Sequence, residues 1–154
     1  MTKIEDKLKE LDIQLPEPSP PAANYVPYVI SGNTLYVSGQ IPVKNGGLPY
    51  TGKIGDTRSM DDGIEAAKLC GLNIISQVKH ACDGNLDRVV RCVKLGGFVS
   101  CTPDFTDQPK VINGASDLMM AVFGDKGKHA RFAVGAPSLP LDVTVEIDAV
   151  FEIK

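Results

Sequence analysis

Residues 129–154, HARFAVGAPSLPLDVTVEIDAVFEIK, contain two stretches with the period of a β-strand. In the second stretch an apolar residue stands at every second position from Val143 to Phe151, which predicts a strand with one buried face. Glu146 and Asp148 have the opposite parity. We therefore expect both carboxylates to point away from the main core.

The first stretch places Phe132 and Val134 on one side of the chain and Arg131 on the other, together with the small residues Ala133 and Gly135. These small neighbours leave space beside the guanidinium. A guanidinium is a planar, permanently charged fork that binds a carboxylate or a phosphate through two parallel hydrogen bonds. Arg131 is therefore a candidate for holding an anionic ligand.

The residues leave two questions open in this segment. An alternative role for Arg131 is an ion pair with Glu146 or Asp148 on a solvated strand face. The turn between the two stretches lies within residues 135–142, where two prolines interrupt regular structure. That position does not decide whether the two strands pair with each other as a hairpin.

The composition is that of an ordinary soluble globular protein, because 43% of the 154 residues are hydrophobic and 23% are charged. This length predicts one domain with a substantial core. A formal net charge of −3 argues against a broad electrostatic grip on nucleic acid. The residues up to Glu10 are mostly charged, and no apolar run is long enough to cross a bilayer. We therefore expect a cytoplasmic protein without a membrane partner.

The four cysteines show no CxxC pair and no histidine at metal-ligand spacing. We interpret them as reduced, small apolar residues of the core. The sequence predicts neither a metal nor another cofactor.

The N-terminal residues predict a short amphipathic helix, because Ile4, Leu8 and Leu11 share one helical face. Prolines between positions 16 and 21 then predict an extended linker, since proline cannot continue a helix. We expect this helix to pack on the surface or on a neighbouring molecule. The chain divides into residues 1–22, the helix and linker, and residues 23–154, the main domain.

A β-hairpin is predicted for residues 26–38, with the turn at residues 31–33. Gly39 follows the exposed Ser38. A glycine there either lets a ligand approach the backbone N–H groups closely or marks a strand bulge.

Two helices follow from the later sequence pattern. Ser59 is the predicted N-cap of the first, whose apolar stripe runs to Cys82. The second is predicted from about Lys110 to Phe123, with Asn113 near its start, where it could reach a ligand. A third strand is predicted between them, within residues 87–100.

The element order is hairpin, helix, strand, helix, strand, strand. Two helices for one sheet are expected to cover the same face, which predicts an α+β fold with the opposite face open. We expect that open face to hold Arg131 and Glu146 and to meet another subunit.

Two motifs then resemble the RidA/YjgF family of reactive-intermediate (enamine/imine) deaminases, also called the endoribonuclease L-PSP family. They are GNTLYVSGQIP, residues 32–42, and the C-terminal segment from Ala130-Arg-Phe-Ala-Val to Val145-Glu-Ile147. The resemblance covers about residues 23–153. It implies a chorismate-mutase-like α+β fold with a mixed sheet, assembled as a homotrimer with sites in the clefts between subunits. It also implies that the last two strands need not be hairpin neighbours.

The resemblance assigns roles to particular residues. It implies that Arg131 binds the substrate carboxylate and that Glu146 positions the attacking water. Tyr25 stands at the position of an aromatic site residue, and Ser38 and Gly39 stand at the pocket floor. The arginine and the glutamate would then meet across an interface.

Further site positions mark the chain as similar to a divergent subgroup. Asn113 is a candidate for the family's asparagine ligand. Ala133 stands where active members commonly carry a cysteine, at a position that contributes its backbone carbonyl. The Asn-Tyr-Val-Pro-Tyr segment around Tyr25 also departs from the more usual Gly-Pro-Tyr-Ser.

Three functions follow from the resemblance and the residues. The first is cofactor-free hydrolysis of reactive 2-imino or enamino acids to 2-oxo acids and ammonia. The second is a non-catalytic binding module for small carboxylates such as 2-oxo acids. The third, endoribonuclease activity, is disfavoured because the chain is acidic and has no basic stripe.

Overall fold

A computed structural model describes residues 3–20 and 23–154, and in these residues it contains three α-helices and five β-strands. The elements, in chain order, are α1 (Lys3–Glu10), β1 (Tyr28–Ser31), β2 (Thr34–Gln40), α2 (Met60–Ala81), β3 (Val89–Ser100), α3 (Gln108–Phe123), β4 (Ala130–Ala136) and β5 (Val145–Ile153). The predicted hairpin, helices and strands are all present. No helix among the described residues is long and apolar enough to cross a membrane.

The five strands form one mixed sheet in the order β1-β2-β5-β3-β4. Neighbouring strands run antiparallel except β3 and β4, which are parallel. The last two strands of the sequence are therefore not a hairpin, because β3 lies between them. This answers the question that the turn at residues 135–142 left open, and it agrees with what the family resemblance implied.

The sheet buries one face, as the alternation in β5 predicts. Val145, Ile147 and Phe151 are fully buried in the core that α2 and α3 cover. On the opposite face Tyr36 and Phe98 are 51% and 38% exposed. The prediction of an α+β fold with both helices on one face is confirmed.

Helix α2 begins with the predicted cap at Ser59. The Ser59 hydroxyl accepts from the backbone N–H of Asp62, and the Asp62 carboxylate accepts from the backbone N–H of Ser59. This reciprocal capping box satisfies two backbone donors that a helix start leaves without partners. The helix ends at Ala81 with Cys82 as its C-cap, and Asp83 and Gly84 then both adopt a positive φ.

The N-terminal helix packs against its own chain. Leu8 is buried in the common core. The backbone N–H groups of Lys3 and Ile4 both donate to the carboxylate of Asp87, each at 3.0 Å. The linker continues along the domain from residue 16 to residue 20, whereas Pro21 and Ala22 lie outside the described residues.

The close approach of α3 to the sheet depends on Gly97 in β3. A Cβ at this position would lie 2.6 Å from Cγ1 and 2.7 Å from Cδ1 of Ile112 in α3. The missing side chain lets α3 settle directly on β3. It thereby brings the start of α3 within reach of the neighbouring edge strand β4.

We expect Gly97→Ala to lower the free energy of unfolding by about 1–3 kcal/mol, the usual cost of overpacking. Combining it with Ile112→Ala should cost less than the sum of the two single changes, because the second change removes the atoms that clash. Chemical denaturation of the single and double variants measures this. Gly47→Ala is the control, since a Cβ there has only an ordinary contact. Additive single effects would contradict the proposed packing.

Candidate functional site

Glu146 lies at a cavity of about 310 Å³ formed where β2 and β5 meet the N-terminal segment and the loop before β5. The cavity is lined mainly by apolar residues. The lining residues are Ser19, Pro20, Ala23, Tyr25, Pro27, Gly39, Gln40, Ile41, Val43, Pro140, Leu141 and Glu146. Tyr25, Gly39 and Glu146, which were predicted from the sequence, are therefore brought together.

Gly39 leaves the space that the Glu146 carboxylate occupies. The pairing of β2 with β5 shifts register between Val37 and Gln40, so Gly39 lies in a β-bulge. A Cβ at position 39 would collide with Oε2 of Glu146. The interpretation of Gly39 as the mark of a strand bulge is confirmed, and the glycine also makes room for the Glu146 side chain.

The Glu146 carboxyl is half-buried and lies near a second carboxylate, that of Asp148. Burial raises its pKa above the usual value because the charged form loses hydration, and the nearby carboxylate of Asp148 raises the pKa further. Among the described residues no hydrogen bond or ion pair to Glu146 compensates this cost. A carboxylate with a raised pKa in an apolar cavity is a candidate proton acceptor.

We expect Asp148→Asn to lower the pKa of Glu146, because the variant removes a neighbouring negative charge. The value should stay above that of a free glutamate, since the burial of Glu146 remains. A pH titration of the side-chain carboxyl ¹³C chemical shift measures the change. Glu152→Gln, also on the open face of β5, is the matched control. An unchanged pKa in Asp148→Asn would contradict the electrostatic coupling.

Ser38 and Tyr25 frame this cavity in different ways. The Ser38 hydroxyl donates to the backbone carbonyl of Val26 at 2.7 Å and so ties β2 to the segment that carries Tyr25. Tyr25 lines the cavity and is about half exposed. Ser38 does not itself line the cavity, and it supports the candidate site through this side-chain hydrogen bond.

Arg131 does not lie on the open face with Glu146, and that expectation is wrong. In the parallel pairing of β3 with β4, Arg131 is opposite the buried Leu95, so it shares the helix-covered side of the sheet. Phe132 instead takes the open side and packs edge-to-face on Phe98, with 5.3 Å between ring centroids. Arg131 can lie on the helix-covered side because β4 is an edge strand. At the edge, that side of the sheet stays accessible enough for a guanidinium.

The Arg131 guanidinium is held by two neutral groups of α3. Its Nη1 donates to the Ser116 hydroxyl and its Nη2 to the backbone carbonyl of Pro109, each at 3.1 Å. A guanidinium has five N–H donors, so these two bonds fix its plane and leave others for a ligand. The alternative ion pair with Glu146 or Asp148 cannot form within one chain, because those carboxylates lie on the other face.

His129 completes the support of Arg131. Its Nδ1 lies 2.6 Å from the carbonyl oxygen of Gly127, and its Nε2 lies 2.9 Å from the Ser116 hydroxyl. A carbonyl only accepts, so Nδ1 carries the hydrogen and Nε2 of the neutral ring accepts from Ser116. The Ser116 oxygen is then oriented to accept from Arg131.

Asn113 and Ala133 lie on the same side as Arg131. Asn113 is exposed on α3, one turn from each of Pro109 and Ser116. Ala133 is half-buried on β4 and packs against the core. The predicted residues thus form two groups, one around Arg131 on the helix side and one around Glu146 on the open side.

Three polar residues of α2 that shape the cavity were not predicted from the sequence. Asn73, Ser76 and Gln77 lie within the predicted apolar stripe and are almost fully buried. Buried amides and hydroxyls need hydrogen-bond partners, so their presence inside an apolar helix pattern was a signal of such contacts. Among the described residues, no three His, Cys, Asp or Glu side chains are close enough to hold a metal ion. All four cysteines are free and buried.

The mixed five-stranded sheet with helices α2 and α3 on one face defines a chorismate-mutase-like α+β protein. A family model described as "YjgF/chorismate mutase-like, putative endoribonuclease" matches residues 5–152. The chain therefore belongs to the YjgF family. This confirms the resemblance seen in the sequence.

Individual relatives match over nearly the whole chain. Protein TCP17 of Trypanosoma cruzi is 47% identical over 153 residues, which are 99% of this chain and 95% of that protein. A crystal structure of a protein of unknown function from Agrobacterium tumefaciens is 50% identical, with a TM-score of 0.92 over 98% of this chain and 92% of the other. A "putative endoribonuclease" from Shewanella oneidensis is 35% identical, with a TM-score of 0.94, over 99% and 100% of the two chains.

Proposed function

We propose that this protein hydrolyses reactive 2-imino acids to 2-oxo acids and ammonia, without a cofactor, at sites formed between two subunits. The observation that carries this proposal is the placement of the two half-sites. Arg131, which has no carboxylate partner among the described residues, lies on one face of the sheet, and Glu146, a half-buried carboxylate, lies on the other. A single ligand reaches both groups only if they come from different chains.

Each half-site would make a distinct chemical contribution. Arg131 would bind the substrate carboxylate through its remaining N–H donors and so fix the plane of the imine. Glu146 would accept a proton from a water molecule as that water attacks the imine carbon. Glu146 passes this proton to the nitrogen, which gives a carbinolamine. A second proton then moves from the carbinolamine hydroxyl to the nitrogen, the C–N bond breaks, ammonia leaves, and the former imine carbon becomes the carbonyl of a 2-oxo acid. The raised pKa of Glu146 favours this role because it strengthens the carboxylate as a base.

The open face of the sheet supports assembly into a homotrimer. Its apolar side chains Val29, Tyr36, Phe98 and Val134 are between 38% and 51% exposed in the single chain. Exposed apolar side chains in this density mark an interface between proteins. A homotrimer is the assembly that the family resemblance implies. Its three equivalent clefts would each combine one Arg131 with one Glu146.

Ribonuclease activity, which the family description names, has less support in this site. No lysine, arginine or histidine lines the cavity among the described residues. The net charge of −3 also opposes binding of a polyanion. A binding module that holds 2-oxo acids without turnover remains the main alternative, since it needs Arg131 but not a basic Glu146.

We expect Glu146→Gln to retain binding of a 2-oxo acid and to lower kcat by roughly 10²-fold or more, the usual scale for loss of a positioned base. Calorimetry with pyruvate measures the binding, and ammonia release from imines generated in place from amino acids measures the rate. Wild-type protein that binds pyruvate but releases no ammonia above the buffer rate would identify the binding module instead. A wild-type kcat in the variant would remove Glu146 from catalysis.

We expect two inactive variants to restore activity when they share a trimer. Random assembly of equal amounts of Arg131→Ala and Glu146→Gln chains makes roughly three quarters of the trimers mixed, with roughly one intact site in three. Co-expressed chains with two different tags, purified as mixed trimers, should therefore show about a third of wild-type activity per subunit.

Two controls interpret this complementation. Separately purified variants mixed without subunit exchange should stay inactive. Mixed assemblies that stay inactive, or a monomeric mass by light scattering at micromolar concentration, would contradict the intersubunit site.

A further inference from the structure

Three buried polar side chains of α2 hold two walls of the cavity that contains Glu146. Asn73, Ser76 and Gln77 are at most 4% exposed. The Asn73 amide donates to the backbone carbonyls of Ile41 and Val43, at 2.9 and 3.2 Å. Both of these residues line the cavity, so Asn73 fixes the wall that follows β2.

The other two side chains hold the proline wall, which we define as residues 16–20. The Ser76 hydroxyl donates to the backbone carbonyl of Pro16 at 2.5 Å, and the Gln77 amide donates to that of Ser19 at 2.9 Å. Ser19 and the following Pro20 line the cavity. A proline has no N–H group, so a proline-rich segment cannot complete the paired ladder of a sheet, and in this chain side-chain donors bind two of its carbonyls.

The Gln77 side chain holds Ser19 but destabilises the core. Its Oε1 is buried and has no hydrogen-bond partner among the described residues. A buried amide oxygen without a partner is destabilising, and an apolar side chain of the same shape would avoid that cost. The side chain therefore makes its structural contribution through its one hydrogen bond, to Ser19.

We propose that the proline wall, positioned by Ser76 and Gln77, determines substrate specificity by limiting the side chain of the imino acid to a small, uncharged group. This inference rests on the proposed imine hydrolysis. In the single chain the cavity volume is about 310 Å³, at the small end of the range for ligand sites, before a neighbouring subunit completes the site. The walls are apolar, at Pro20, Ile41 and Val43, so a charged substrate side chain would lose its hydration without gaining a partner. Glu146, the charged lining residue, is occupied with the reacting carbon.

The test is the change in selectivity when the wall is released. Gln77→Met keeps the shape of the side chain and removes the donor to Ser19. Wild-type protein should have a higher kcat/KM for the imine derived from alanine than for that derived from phenylalanine. The variant should raise the phenylalanine-to-alanine ratio by about fivefold or more, the scale of one lost hydrogen bond at a wall. Most of this change should be in KM for the larger substrate, with kcat for the smaller one retained.

Matched variants distinguish an effect of the proline wall on the phenylalanine-to-alanine ratio from general effects of substitution on the protein. Gln14→Met makes the same chemical change at an exposed position two residues before the proline wall, and it should leave the ratio unchanged. Ser76→Ala removes the other donor and should shift the ratio in the same direction as Gln77→Met, which keeps the test valid if one variant folds poorly. Thermal unfolding confirms that the compared variants are folded.

The outcomes distinguish this inference from the proposed function. If the wild type releases ammonia but Gln77→Met and Ser76→Ala both keep its phenylalanine-to-alanine ratio of kcat/KM, the specificity role of the proline wall is wrong. The proposed function is not affected by that outcome. A wild-type preference for the larger substrate would also overturn it. Absence of ammonia release from every imine by the wild type would overturn the proposed function, and the specificity role with it.

Discussion

The burial of only one face of the sheet is the constraint on which the rest of this structure depends. Helices α2 and α3 cover one side, so alternate residues of every strand point either into the core or to the open face. Glu146 and Arg131 follow this parity to opposite sides. A chain with this architecture cannot assemble both groups around one ligand by itself. The same open face carries exposed apolar side chains, among them Tyr36 and Phe98.

The Glu146 carboxylate shows how the site conflicts with stability. Its neighbourhood offers burial and a second negative charge, and both disfavour the ionised form. Such an arrangement reduces the stability of the fold at neutral pH, because it favours protonation of the folded state over that of the unfolded chain. This contribution is therefore most favourable at low pH and is lost as the pH rises through the raised pKa. The bulge at Gly39 keeps the carboxylate in this position.

Helix α2 connects the core to the cavity. Its apolar side chains Ile74, Ile75 and Val78 are fully buried, while the polar side chains between them bind loop carbonyls. Loop backbone that packs against a domain needs such donors, since it lacks the regular pairing of a sheet. The N-terminal segment is thereby part of the same packed unit as the cavity. Arg131 depends in a similar way on α3, through Ser116 and Pro109.

The sequence by itself determined the elements, the parity of β5 and the family. These follow from local periodicity, from caps such as Ser59 and from motifs whose residues are adjacent in the chain. The outward position of Glu146 followed because β5 has a strict two-residue alternation.

The face of Arg131 was decided only by tertiary structure, because β4 carries both a bulky apolar set and a small set, and either could face the core. Its parallel pairing with β3, a contact between residues far apart in sequence, selected the side under α3. The hydrogen bonds of Gln77 to Ser19 likewise join residues distant in the chain, and no local pattern encodes which carbonyl a buried amide meets.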